Sequence, residues 1–154
     1  MPKESQLYAI EEFFIDEKPY YLSTGNEIEV FQAAAKHKIP FAAIGPTGCG
    51  KTRFINYMSY LINQKTNNKK PLFFMTCHQD LTATDLLGRD RINGEYLPGL
   101  MQRWAETGGI LYLDEIVEAR PDLATILHPI MEPTRRVFYN ERTGKVVNLI
   151  LVAF

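Results

Sequence analysis

Eight consecutive residues, Gly45-Pro46-Thr47-Gly48-Cys49-Gly50-Lys51-Thr52, match the phosphate-loop pattern G-x-x-x-x-G-K-[ST] at every fixed position. An apolar run, Ile39–Ile44, leads into them, and Phe54, Met58, Leu61 and Ile62 follow at helical spacing. The pattern therefore asks for a strand, a tight loop and a helix in that order. Glycines allow successive backbone N–H groups to point at phosphate oxygens. The helix N-terminus behind the loop adds partial positive charge. In that setting Lys51 would bridge the β- and γ-phosphates of a nucleoside triphosphate, and the Thr52 hydroxyl would hold Mg²⁺. Gly45–Thr52 and Arg53 form the candidate nucleotide-binding set. The bland alternative is a glycine-rich turn with an incidental lysine.

The chain has 154 residues, enough for one domain with a real core. Its 45% hydrophobic and 23% charged residues are those of an ordinary globular protein. A formal net charge of −1 gives no support for a general nucleic-acid or membrane surface. Residues 31–70 do carry seven basic and no acidic side chains, but only Lys51 and Arg53 belong near phosphates, so the others read as a solvated face. The two cysteines, Cys49 and Cys77, make no disulfide framework, and with the phosphate loop they point to a reducing cytoplasm. Cys49 sits where a helix N-terminus would lower a thiol pKa, yet the loop also needs a small side chain there. Met1–Ile10 lacks the sections of a signal peptide, and no apolar run approaches the ~20 residues that span a bilayer.

Along the chain, Phe13–Leu22 reads as an extended segment broken at Pro19, and Glu27–Lys38 as a helix before a first core strand, Phe41–Ile44. Leu72–Cys77 is a second buried strand, Thr82–Leu87 a helix, and Gly88–Pro98 a hairpin turning at Asn93-Gly94. Pro98, at a first-turn position, is expected to open a helix over Gly99–Glu106. Ile110–Leu113 is a third buried strand, and Pro121 starts a helix to about Met131 whose last turn Pro129 should distort or shorten. Val137–Tyr139 and Lys145–Val147 flank a second hairpin turn, and Asn148–Phe154 is an apolar strand. Strands alternating with helices indicate an α/β domain with a mainly parallel sheet covered on both faces. The chain stops on that last strand without a cap or polar tail, which reads as an incomplete piece of a longer protein.

Ile110–Leu113 runs into Asp114-Glu115, two carboxylates at the carboxyl end of a buried strand. In phosphate-loop proteins such a pair gives one carboxylate to Mg²⁺ and the next to the attacking water. Asp114 is thus the candidate metal group, acting mostly through the cation's bound water, and Glu115, with Lys51, the candidate catalytic group. Two solvated acids at a strand end are common by themselves, but here they follow Thr52 in the expected order. An adjacent Glu suits hydrolysis by water better than transfer to a small acceptor. No N-K-x-D guanine-reading motif is present, which argues against GTP.

Four separated segments then carry a resemblance: Gly45–Thr52, Cys77–Arg89, Tyr112–Arg120, and His128-Pro129 followed by Arg135-Arg136. From about Tyr21 to Phe154 the chain resembles the MoxR-type AAA+ ATPases, and within them the CbbQ/NirQ/NorQ branch. The resemblance implies a P-loop NTPase (AAA+) parallel sheet flanked by helices, with hairpin inserts at Gly88–Pro98 and Val137–Val147. It divides the chain into an N-terminal extension (1–20) and a partial nucleotide-binding domain (21–154) ending at the sensor-1 strand. It implies ATP and Mg²⁺ as cofactors, a homo-hexameric ring, a partner with a von Willebrand factor A domain, and a metal- or cofactor-dependent client enzyme. No nucleic-acid or membrane partner is implied. The family's sensor-1 residue, helical lid with sensor-2 arginine, and usual arginine finger would lie beyond Phe154. Arg135 or Arg136 would stand in for the finger across a subunit interface, or both are solvated hairpin charges. Without such groups turnover should be weak.

Other residues read as structural. Cys77-His78 with Asp80 has no second pair at zinc spacing, so His78 and Gln79 are expected to shape a loop beside the nucleotide. Trp104 is expected to pack its helix. Tyr20-Tyr21 would either line the adenine pocket or pack. Two other function classes stay open: an ATP-dependent nucleic-acid motor, and a nucleotide-sensing module without turnover. Arg89 and Arg91 on the first hairpin favour the motor, whereas Asp90 and Glu95 beside them weaken it.

Overall fold

A computed structural model of the chain describes residues 10–132 together with 137–140, 145–148 and 151–153. The elements run β1 (Ile10–Phe13), α1 (Glu27–His37), α2 (Lys51–Gln64), β2 (Leu72–Thr76), α3 (Ala83–Leu87), β3 (Gly88–Asp90) and β4 (Tyr96–Pro98). Then come α4 (Leu100–Thr107), β5 (Ile110–Asp114), a 3₁₀ turn (Ile116–Glu118), α5 (Pro121–Met131), β6 (Val137–Asn140), β7 (Lys145–Asn148) and β8 (Leu151–Ala153). The main sheet has the order β1-β2-β5-β8. β2, β5 and β8 are parallel, and β1 adds an antiparallel edge. The two hairpins, β3–β4 and β6–β7, stand apart from it.

Alternation along β2 and β5 sorts the core onto two faces. Phe73, Met75, Leu111 and Leu113 join Leu86, Leu100, Met101, Trp104, Leu123, Leu127 and Ile130 from α3, α4 and α5. Leu72, Ile110 and Tyr112 face the other way, with Phe31 of α1 and Phe54, Ile55 and Met58 of α2. The sheet is thus covered on both sides, as the alternation of strands and helices requires. β2 and β5 pair in register from Leu72↔Ile110 to Thr76↔Asp114, and Cys77 N–H donates to the Asp114 carbonyl at 2.9 Å. Their carboxyl ends, carrying Cys77-His78 and Asp114-Glu115, therefore open at one rim of the sheet.

Local chemistry sets the ends of the elements. Thr82 begins α3 by donating its backbone N–H and its hydroxyl to Asp85 Oδ2, at 2.9 and 2.7 Å. Asn63, buried in α2, holds both backbone groups of Lys70 and fixes the turn into β2. At the hairpin tip, Arg91 N–H donates to the Glu95 carbonyl and Gly94 N–H to the Arg91 carbonyl. Tyr96 hydroxyl bonds the Leu87 carbonyl and Gln102 Oε1, which ties the hairpin base to α4.

Two expectations are corrected. Of the predicted strand Phe41–Ile44 only a single bridge at Phe41 forms, and Ile44 is exposed. An apolar run states a preference for burial, but a strand also needs a neighbour for its backbone groups. Pro98 closes β4 rather than opening the next helix, because its missing N–H costs nothing at the end of a short hairpin strand; Gly99 is the N-cap and Leu100 the first helical residue. As expected, α5 runs from Pro121 to Met131, with Pro129 in its last turn. Proline removes one bond in the last turn, and the burial of Leu127 and Ile130 against the sheet outweighs it. The second hairpin pairs Val137↔Asn148 to Asn140↔Lys145, and residues 141–144 of its turn lie outside the described residues.

Candidate functional site

The loop entering α2 has the backbone that its glycines were expected to permit. Gly48 and Gly50 both adopt positive φ, 82° and 96°, and Gly50 is the N-cap of α2. Neither has any atom within 4 Å of a would-be Cβ, so conformation rather than crowding selects glycine. No side chain caps α2, which leaves its first N–H groups to the loop. Lys51 Nζ folds back and donates to the Gly45 and Pro46 carbonyls at 2.8 and 3.0 Å. The ammonium is thereby held over the loop by neutral acceptors, which an anionic phosphate outcompetes. Cys49 Sγ lies against Gly45, where a Cβ would meet it at 2.8 Å, as a loop-filling residue would.

The loop meets β5 through one hydroxyl. Tyr112 and Asp114, two residues apart, share the strand face that looks toward α2. Tyr112 OH donates to Asp114 Oδ1 at 3.0 Å and lies 3.4 Å from Thr52 Oγ1. Glu115 N–H donates to the same Oδ1 at 3.1 Å. Among the described residues Asp114 Oδ2 keeps no hydrogen-bond partner. Burial pushes the Tyr112 hydroxyl up to about 12; the Thr52 contact opposes the shift, and the hydrogen bond and charge of Asp114 add to it. Tyr112 is therefore a protonated donor at neutral pH. Hydroxyl and carboxylate oxygens on neighbouring elements are the hard donors that Mg²⁺ takes, so Thr52 and Asp114 fit the expected cation.

Glu115 follows in a left-handed backbone conformation, φ 54° and ψ 40°, one of two non-glycine positive φ values among the described residues. Such a backbone costs about 1–2 kcal/mol for a residue with a Cβ, and strain of this kind collects at functional sites. Glu115 is exposed and lines a cavity of about 550 Å³ with Thr47, Cys77, His78, Gln79, Val117 and Glu118. His78 and Gln79 thus shape the loop beside the phosphate loop, as expected. Burial, with the charge of Asp114 behind it, raises the Cys77 thiol to about 11. At pH 8 only about one Cys77 in a thousand would be thiolate. Iodoacetamide is therefore expected to modify exposed Cys49 and to spare Cys77 until the chain is unfolded, as peptide mass mapping would read. Equal labelling of both in the folded chain would contradict this burial.

The structure brings Lys51, Thr52, Asp114 and Glu115 to one rim. Arg53 is exposed on the first turn of α2, and Arg135 and Arg136 lie outside the described residues. Trp104 is buried and donates its indole N–H to the Gly109 carbonyl. Tyr21 packs: its ring lies on Phe54 and Tyr57, and its hydroxyl donates to Glu27 Oε1. Tyr20 is exposed. Sequence reasoning missed Tyr112, although the period of two that aims Asp114 also aims Tyr112.

The AAA domain family (dynein-related subfamily) matches residues 41–151. The chain is 45% identical over 135 residues to the denitrification regulatory protein NirQ of Pseudomonas aeruginosa, covering 86% of this chain and 49% of that protein. It is 40% identical to CbbQ of Hydrogenophilus thermoluteolus (88% of this chain, 49% of that protein) and 42% to NorQ of Paracoccus denitrificans (84% and 46%). The chain thus spans about half the length of the curated relatives it matches. Among solved structures, NtrX from Brucella abortus superposes with a TM-score of 0.55 at 19% identity, covering 88% of this chain and 31% of that one. A second NtrX structure, in complex with ADP, has a TM-score of 0.51 at 17% identity, covering 87% of this chain and 30% of that one. At those identities the likeness is one of fold. The matched domain, the identities to NirQ, CbbQ and NorQ, and the loop and carboxylates at one rim make this chain a member of the AAA domain family, on the CbbQ/NirQ/NorQ branch of its MoxR-type proteins.

Proposed function

We propose that the chain binds ATP with Mg²⁺ and hydrolyses it, within a protein that activates or matures a metal- or cofactor-dependent enzyme. One observation carries the reading: the Lys51 loop and the Asp114-Glu115 pair come together through Thr52 and Tyr112. Lys51 would leave the Gly45 and Pro46 carbonyls for the β- and γ-phosphates, with the loop N–H groups around them. Thr52 and Asp114 would hold the Mg²⁺, which when bound neutralises phosphate charge as it develops. Glu115, on the cavity shared with Thr47, would orient the attacking water and accept its proton. The ADP complex of the NtrX structure supports a nucleotide on this fold. The activator role follows the relatives, of which NirQ is named a denitrification regulatory protein. A homo-hexameric ring in the cytoplasm, working with a von Willebrand factor A domain protein on a client enzyme, belongs to the same reading. Among the described residues no helix is long and apolar enough to cross a membrane.

The β3–β4 hairpin gives a nucleic-acid motor little support. Arg91 lies 3.8 Å from Glu95, and the exposed tip includes the apolar side chain of Ile92. Glu115→Gln tests the hydrolytic reading. Phosphate release should fall by about 10²–10⁴-fold, the usual scale of general-base loss, while ATP binding persists. ATP binding without phosphate release even in a version extended through a lid domain would favour a nucleotide-sensing module instead.

A further inference from the structure

Tyr112 fills the core as a phenylalanine would, with its ring 5.4 Å from Phe74 and among Ile55, Met58 and Leu72. Its hydroxyl is what a phenylalanine would lack. A buried hydroxyl is unfavourable unless bonded, and this one touches the two residues that the proposed function gives to the metal. Proton counting fixes the direction of the chain. An ionised carboxylate only accepts, so the single Tyr112 proton goes to Asp114 Oδ1. The contact with Thr52 then has one proton left to fill it, that of Thr52. No direct hydrogen bond joins Thr52 to Asp114 among the described residues.

We propose that Tyr112 is a positioning residue. Its hydroxyl takes the Thr52 proton and gives its own to Asp114, so that lone pairs of Thr52 Oγ1 and Asp114 Oδ2 face the divalent cation that accompanies the nucleotide. Glu115 N–H, on the same Oδ1, completes the anchoring of the carboxylate. The inference rests on the ATP–Mg²⁺ reading above.

Tyr112→Phe keeps the ring and removes only the hydroxyl. ATP affinity of the full chain would be measured by titration calorimetry in MgCl₂ and in EDTA, for the original chain and the variant, beside a thermal melt. The ratio of the two affinities should fall roughly tenfold in the variant, the scale of one hydrogen bond to a charged group. Affinity in EDTA should stay within about twofold, and melting within a few degrees. A second variant, Thr52→Val, checks the route: adding Tyr112→Phe to it should lower the ratio by much less than tenfold, because the two hydroxyls act as a unit. An unchanged ratio in Tyr112→Phe, or an equal loss with and without Mg²⁺, overturns the proposal and leaves Tyr112 a packing residue. If the original chain binds ATP no better with Mg²⁺ than without it, the metal reading itself fails.

Discussion

Lys51→Ala is expected to lower the affinity of the chain for Mg²⁺–ATP by about a hundredfold or more. Among the described residues the ammonium is the one side-chain cation that the loop holds directly beside its own backbone, through Gly45 and Pro46. Charge-assisted contacts to phosphate contribute roughly 1.5–3 kcal/mol each, and two such contacts exceed the ~2.7 kcal/mol that a hundredfold represents. Folding should change little, since the two carbonyls sit in an exposed loop and water replaces the lysine. Titration calorimetry beside a thermal melt separates the effects: the melt stays put while binding is lost. Equal binding by the original chain and the variant would falsify the assignment of the loop.

Gly109→Ala is expected to be among the most damaging single methyls in the described fold. Gly109 has φ +107°, a conformation that residues with a Cβ rarely adopt, and a Cβ there would stand 2.2 Å from the Pro71 carbonyl oxygen. Backbone cannot swing aside as a side chain does. The strain costs about 1–3 kcal/mol and the overpacking about as much again, so the scale is about 2–6 kcal/mol. Against a total stability of roughly 5–15 kcal/mol, that lowers the melting temperature by about 10 °C. Function should suffer too, because Pro71 and Gly109 immediately precede the Leu72↔Ile110 pair that starts the β2–β5 ladder to Asp114. Gly94→Ala is the control. It also has positive φ, but nothing lies within 4 Å, so its cost should be about 1 kcal/mol. Similar melting temperatures for the two variants would mean that the contact with Pro71 is not tight.

What the sequence reveals depends on whether the cause lies within a few residues. Gly45–Thr52 and Asp114-Glu115 are legible because phosphate and metal chemistry fix residue types at short spacing. The Asn93-Gly94 hairpin and the alternating faces of β2 and β5 are legible for the same reason. Phe41–Ile44 is not, because pairing depends on a neighbour far along the chain. The span of α5 to Met131 is legible, since Pro121 opens it and Pro129 falls only in its last turn. Tyr112 hides for another reason: inside an apolar strand a tyrosine reads as a large core residue, and only the neighbouring Thr52 and Asp114 give its hydroxyl a purpose. Arg135 and Arg136 fall outside the described residues.

The most direct test of the central claim is a crystal structure of the chain with Mg²⁺ and a non-hydrolysable ATP analogue. The expected result has the phosphates in the Gly45–Thr52 loop, Lys51 Nζ moved from the Gly45 and Pro46 carbonyls onto them, and the cation held by Thr52 and Asp114. An analogue bound elsewhere at saturation, with Lys51 still on its own loop carbonyls, would contradict it.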